Sequence, residues 1–91
     1  MRSIKPTKRF ARDLRRMQRR GKALEKLQRI VDALATEEPL PHNARPHLLA
    51  GDWRSKMDCH VEGDWVLIYE LVDDDLILHA TGTHQDLFKG Y

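Results

Sequence analysis

A change of hydrophobic period near residue 50 constrains the fold of this chain more than any other feature. From Thr7 the apolar residues Phe10, Leu14 and Met17 recur at i, i+4 and i+7, with Ala11 alongside. That spacing makes one helical stripe, and arginines occupy the other faces. Gly21, after Arg19 and Arg20, predicts the helix end, with cations near the negative pole of its dipole. Leu24, Leu27, Val31 and Leu34, widened by Ile30, predict a second helix that stops at Thr36-Glu37-Glu38-Pro39. Beyond Gly51 the texture becomes that of strands. Asp52 to Val61 alternates loosely, Trp65 to Val72 is β-branched and aromatic, and Leu76 to Thr81 is a third strand. Asp73-Asp74-Asp75 and Glu62-Gly63-Asp64 read as the turns between them. Arg2 to Lys5 reads as a short edge strand. Residues 37–50 hold Pro39, Pro41 and Pro46 and read as an irregular connecting loop carrying His42, Arg45 and His47. The tail from Gly82 to Tyr91 reads as a turn or brief helix.

The predicted class is therefore α+β. An N-terminal strand and a basic helical hairpin pack on one face of an antiparallel sheet, leaving the other face free for a site. At 91 residues one domain, 1–91, is expected. The longest apolar run, Trp65 to Tyr69, is five residues, against the roughly 20 that a membrane-spanning helix requires. A lone cysteine, Cys59, allows no intrachain disulfide, and the first residues hold no signal-type apolar segment. Both point to a cytoplasmic protein.

Charge is divided sharply along the chain. Residues 1–30 hold twelve Lys or Arg against two acidic residues, a net +10; residues 31–91 hold four against twelve, a net −8. A basic segment of that density suits a phosphate-rich partner such as RNA, or an acidic protein segment. The candidate RNA- or ribosome-binding residues are Lys8, Arg9, Arg12, Arg15, Arg16, Arg19, Arg20 and Lys22 on the helices, with Arg45, Arg54 and Lys56 beyond them.

Five histidines, at 42, 47, 60, 79 and 84, all lie outside the two helices. Cutting RNA without a metal needs a base for the 2′-hydroxyl, an acid for the leaving 5′-oxygen, and charge stabilisation at phosphorus. Two histidines, a carboxylate and nearby cations can supply all three. His47, His60 and His84 sit at loop or strand ends, with Asp64 four residues after His60 and Phe88 four after His84. His42 and His79 read as structural, and Trp53 and Trp65 as sheet packing. A metal site from His47, His60, Asp64 and His84 would lack the usual ligand spacings, so no cofactor is expected. Cys59 reads as a small buried hydrophobe. No glycine-rich phosphate loop is present.

The run His47-Leu48-Leu49-Ala50-Gly51-Asp52-Trp53, then Asp58 to Tyr69, then Thr81-Gly82-Thr83-His84 and Leu87-Phe88, resembles the YafQ-type branch of the RelE/ParE toxins. His47, His60, Asp64, His84 and Phe88 stand at offsets of 13, 4, 20 and 4 residues, similar to those of that branch. The resemblance implies a type II toxin that cuts mRNA on the ribosome without a metal, leaving a 2′,3′-cyclic phosphate, and that a cognate antitoxin neutralises. It implies His47 as base and His84 as acid, His60 and Asp64 in support, and Phe88 against the nucleotide. One departure stands out. Many relatives carry arginine where this chain has Met57, and methionine cannot stabilise a phosphate charge; a weakened toxin would follow, unless Arg45, Arg54 or Lys56 substitutes.

Two other readings compete. A ParE-like toxin would bind a protein such as gyrase and would not need clustered histidines. A plain RNA- or ribosome-binding module would use the basic segment alone.

Overall fold

Thr7 starts the first helix as the sequence pattern requires. In this computed structural model, which describes residues 1–88, its hydroxyl accepts from the Phe10 amide, 3.1 Å, and caps α1 (Lys8–Arg19). Gly21 ends that helix at φ +80°. Its amide donates to Gln18 O and that of Lys22 to Met17 O, 3.0 and 3.1 Å, the paired bonds of a Schellman motif. Helix α2 (Leu24–Thr36) ends on Glu37 in the left-handed region. Arg2 closes that end, donating from its amide to Ala35 O and from its guanidinium to Leu34 O, a cation at the negative pole of the helix.

Among the described residues, five strands make one sheet: β1 (Ser3–Pro6), β2 (His47–Leu48), β3 (Met57–Glu62), β4 (Trp65–Val72) and β5 (Asp75–Thr83), in the order β1-β5-β4-β3-β2. Three expectations need correction. The sheet is not wholly antiparallel, since β1 runs parallel to β5. The proline-rich loop is not wholly irregular: it holds a single 3₁₀ turn, His42–Ala44, and then β2, which adds His47 to the sheet edge. The strand expected from Asp52 begins only at Met57, because Gly51–Trp53 form another 3₁₀ turn. The tail from Gly82 divides between the end of β5 and α3 (His84–Leu87), a one-turn helix; residues 89–91 lie outside the described residues. No helix among the described residues is long and apolar enough to cross a membrane.

The sheet divides two cores. On the helix side Phe10, Met17, Leu27, Ile30 and Leu34 pack on Cys59, Trp65, Leu67, Tyr69, Leu76 and Leu78. On the open face Val66, Ile68, Ala80 and Leu87 form a smaller cluster under Leu49, Trp53 and Phe88. This alternation of period two along β3 and β4 decides which side chains share a face. Asp58 and His60 pair with Ile68 and Val66 on the open face, whereas Met57 pairs with Tyr69 and packs against the helix-side core. A positive group at position 57 would therefore point away from the histidines, and the weakening expected from Met57 has no basis in the fold.

Candidate active site

His84 is the first residue of α3, and Thr83 caps that helix by accepting from the Asp86 amide, 3.2 Å, while its own amide donates to the Asp86 carboxylate, 2.9 Å. This reciprocal capping box fixes where β5 ends and where the imidazole begins. Nδ1 of His84 donates to Asp64 Oδ1 at 2.5 Å; the proton is assigned to Nδ1 because a carboxylate only accepts. Asp64 lies in the turn between β3 and β4, which Gly63 makes at φ +53°. The His60 and Phe88 ring centroids each lie 5.6 Å from that of His84. His60 Nδ1 is directed at the Gly63 carbonyl, 3.4 Å. Sites 60, 64, 84 and 88, up to 28 residues apart in sequence, thus form one cluster.

His47 stands one strand further out and does not touch that cluster. It pairs in register with Asp58, two residues before His60, which makes it a diagonal neighbour of His60 on the same face, about 7–8 Å away between backbones. Its Nδ1 is 3.6 Å from Asp58 Oδ1. That oxygen is buried and accepts no hydrogen bond among the described residues. A buried carboxylate oxygen without a donor is costly, and the imidazole is the group placed to supply one. The strand order puts His60 between His47 and His84, with an acid-paired imidazole on either flank.

The basic residues separate into two sets. Lys8, Arg12, Arg15 and Arg19 are exposed and Lys22 half-buried, and none forms an ion pair among the described residues. Arg9, Arg16 and Arg20 are instead committed within the fold. Arg9 and Arg16 pair with the buried Asp13, 3.4 and 3.3 Å, and Arg9 also lies over the Trp53 ring, 5.1 Å from its centroid. Arg20 grips Asp86 with both Nη atoms, 2.7 and 3.1 Å, and this holds the Asp86 carboxyl far below the usual carboxylate range. Arg45 lines a recess of about 210 Å³ beside His60, with Asn43 and Gly63; Arg54 and Lys56 follow the 3₁₀ turn that carries Trp53.

Of the residues read as structural, His42 is exposed in its 3₁₀ turn, while His79, Trp65 and Trp53 make contacts within the fold. His79 donates to Glu70, 2.8 Å, and Trp65 donates to the Thr81 hydroxyl, 2.8 Å, inside the helix-side core. Trp53 donates to Leu87 O, 3.1 Å, bracing α3. Burial pushes the Cys59 thiol up to about 12, so it remains an inert thiol at neutral pH. No group of three His, Cys, Asp or Glu side chains suited to a metal occurs among the described residues. Sequence reasoning missed Asp13, Asp58 and Asp86. Only Asp86 had a readable signal, the Thr-x-x-acid spacing of a capping box before an apolar residue.

Comparison with known proteins places relatives beside this geometry. The profile of a family described as "Bacterial toxin of type II toxin-antitoxin system, YafQ" matches residues 2–89. The mRNA interferase toxin YafQ of Escherichia coli K12 is 39% identical over 88 residues, 96% of either chain. The crystal structure of YafQ from Escherichia coli BL21(DE3) superposes with a TM-score of 0.89 at 37% identity, covering 97% of this chain and 99% of that one. The toxin of the Escherichia coli DinJ–YafQ complex superposes with 0.88 at 38% identity, over the same shares.

Proposed function

The chain belongs to the YafQ family of bacterial type II toxins, and on that premise we propose that it is an mRNA endoribonuclease neutralised by a cognate antitoxin. Residues 1–91 act as one toxin domain in the cytoplasm. The observation that carries the reading is the Asp64–His84–His60 cluster on the open sheet face, flanked by His47 over the orphan oxygen of Asp58.

The chemistry follows from that arrangement. His47 takes the proton of the 2′-hydroxyl, and the new imidazolium gains Asp58 Oδ1 as its acceptor. The 2′-oxygen then attacks phosphorus and the P–O5′ bond breaks. His84 enters the step as the imidazolium, with its Nδ1–H held by Asp64, and its Nε2–H passes to the leaving 5′-oxygen, which leaves a neutral imidazole. The products are a 2′,3′-cyclic phosphate and a 5′-hydroxyl, with no net change in protons across the pair. His60 lies between base and acid, where charge builds on the phosphate oxygens, and Arg45, Arg54 and Lys56 add positive potential around it. Phe88 offers a ring face to the nucleobase at the cut. These side chains supply every proton and charge that the step needs.

Such an open site has no walls to orient a flexible RNA. We assign that part to the ribosome, which would hold the mRNA in place while Lys8, Arg12, Arg15, Arg19 and Lys22 contact ribosomal RNA. An acidic antitoxin segment complements the same basic surface. Induction in cells with mapping of mRNA ends tests the activity: the wild type produces new ends and His84→Ala does not. Equal cleavage by both, or intact mRNA with inhibited DNA supercoiling, contradicts it. Co-purification from the native operon should recover a small acidic partner.

A further inference from the structure

Helix α1 meets the sheet through a ladder of charges that ends at α3. Asp13, 1% exposed, accepts from the Thr81 amide, 3.2 Å, where β5 has no strand beyond it. Arg16 bridges Asp13 and Asp86, 3.3 and 3.9 Å. Arg20 completes the ladder with its two-pronged hold on Asp86. The fit is close: a Cβ on Gly82 would come within 2.9 Å of Asp86 Oδ2 and 3.2 Å of Arg16 Nη2.

Helix α3 cannot place itself. It has four residues, far below the about 12–15 at which isolated helices become even marginal. Within it only Leu87 is buried. Besides the Trp53 bond to Leu87 O at its far end and the Asp64 contact of the imidazole itself, the backbone of its first turn is held by Asp86, which serves both the capping box and the Arg20 fork. A general acid tolerates little displacement, since an error of about 1 Å costs roughly 10²-fold. We propose that Arg20, acting through Asp86, is a positioning residue for His84, and so does different work from the free arginines on the same helix. This inference rests on the ribonuclease reading above.

Steady-state cleavage of ribosome-bound mRNA, with ribosome complex as the varied substrate, separates the two kinds of arginine. Arg20→Met and Asp86→Asn each lower kcat roughly 10- to 100-fold with KM within about twofold, whereas Arg12→Met raises KM and leaves kcat. The Arg20→Met/Asp86→Asn double variant is no slower than either single one, since both remove one tether, and Arg20→Lys recovers part of the rate. In ¹H–¹⁵N spectra the His84 Nδ1–H resonance, protected by Asp64 in the wild type, broadens or vanishes in Arg20→Met while core amides such as Val66 and Leu67 keep their shifts. Wild-type kcat in both single variants, losses that multiply in the double, or an unchanged Nδ1–H signal overturns the proposal. Equal rates for the wild type and His84→Ala would reject the ribonuclease reading instead, and the Nδ1–H signal would still report whether the tether acts on His84.

Discussion

Nδ1 of His84 lies 2.5 Å from Oδ1 of Asp64 although 20 residues separate them in sequence. The contact joins the turn after β3 to the helix after β5, and it leaves only Nε2 of the imidazole for substrate. Asp64→Asn keeps the shape but removes the negative acceptor that stabilises the imidazolium form from which Nε2–H is donated. Cleavage of ribosome-bound mRNA should fall about 10²-fold, with KM for the ribosome complex unchanged. An unaltered rate would show that the pairing is incidental.

Restoring arginine at position 57 should bring no gain. The Met57 side chain packs on the helix-side core, across the sheet from His47 and His60. We expect Met57→Arg to change the cleavage rate by less than about twofold. It should lower thermal stability, because a charged group enters a half-apolar site. Thermal melts beside the cleavage assay check both halves.

Asp86 makes stability depend on acid in a predictable direction. Its folded-state carboxyl is held below the ordinary carboxylate range, first by Arg20 and then by the Thr83 bonds. Its contribution is therefore full above about pH 4, the unfolded value, and is lost as pH falls from there toward the folded value. Asp86→Asn should be less stable than wild type at pH 7, and the gap should narrow below about pH 4. Denaturant melts across that range decide it; a constant gap contradicts the assignment.

The free cations of α1 should act through salt. Replacing Arg12, Arg15 and Arg19 by Gln removes three exposed charges that form no ion pair among the described residues. Ribosome affinity should fall, and the slope of log K against log salt should shrink by roughly 0.7–0.9 for each RNA phosphate that is no longer neutralised. An unchanged slope would move the RNA-binding surface elsewhere.

The helices were legible because local signals define them: the Phe10–Leu14–Met17 stripe, the Gly21 stop, and Pro39 beyond the second stop. Strand β4 and its turn at Asp73 were legible for the same reason. Strand β2 was not, since His47 and Leu48 have no strand pattern of their own and are ordered only by pairing with β3. The resemblance named His47, His60, Asp64, His84 and Phe88, but their convergence depends on strand order, which no local spacing encodes. Asp58 and Asp13 were invisible because a buried carboxylate looks like any surface acid until the partner that needs it is placed. The uniform reading of the arginines left out a distinction that only the fold makes: Arg16 and Arg20 meet Asp86 of α3, and Arg16 also meets the buried Asp13, whereas Arg15 and Arg19 form no ion pair among the described residues.

The central claim is that imidazoles from three separate segments move protons around one phosphodiester. Its most direct measurement is the end chemistry of mRNA cut on purified ribosomes by wild type, His47→Ala and His84→Ala. The account predicts 2′,3′-cyclic phosphate and 5′-hydroxyl ends from the wild type, and a fall in rate of about 10²–10⁴ for either variant. Ends bearing a 5′-phosphate, or full activity without both imidazoles, would contradict it.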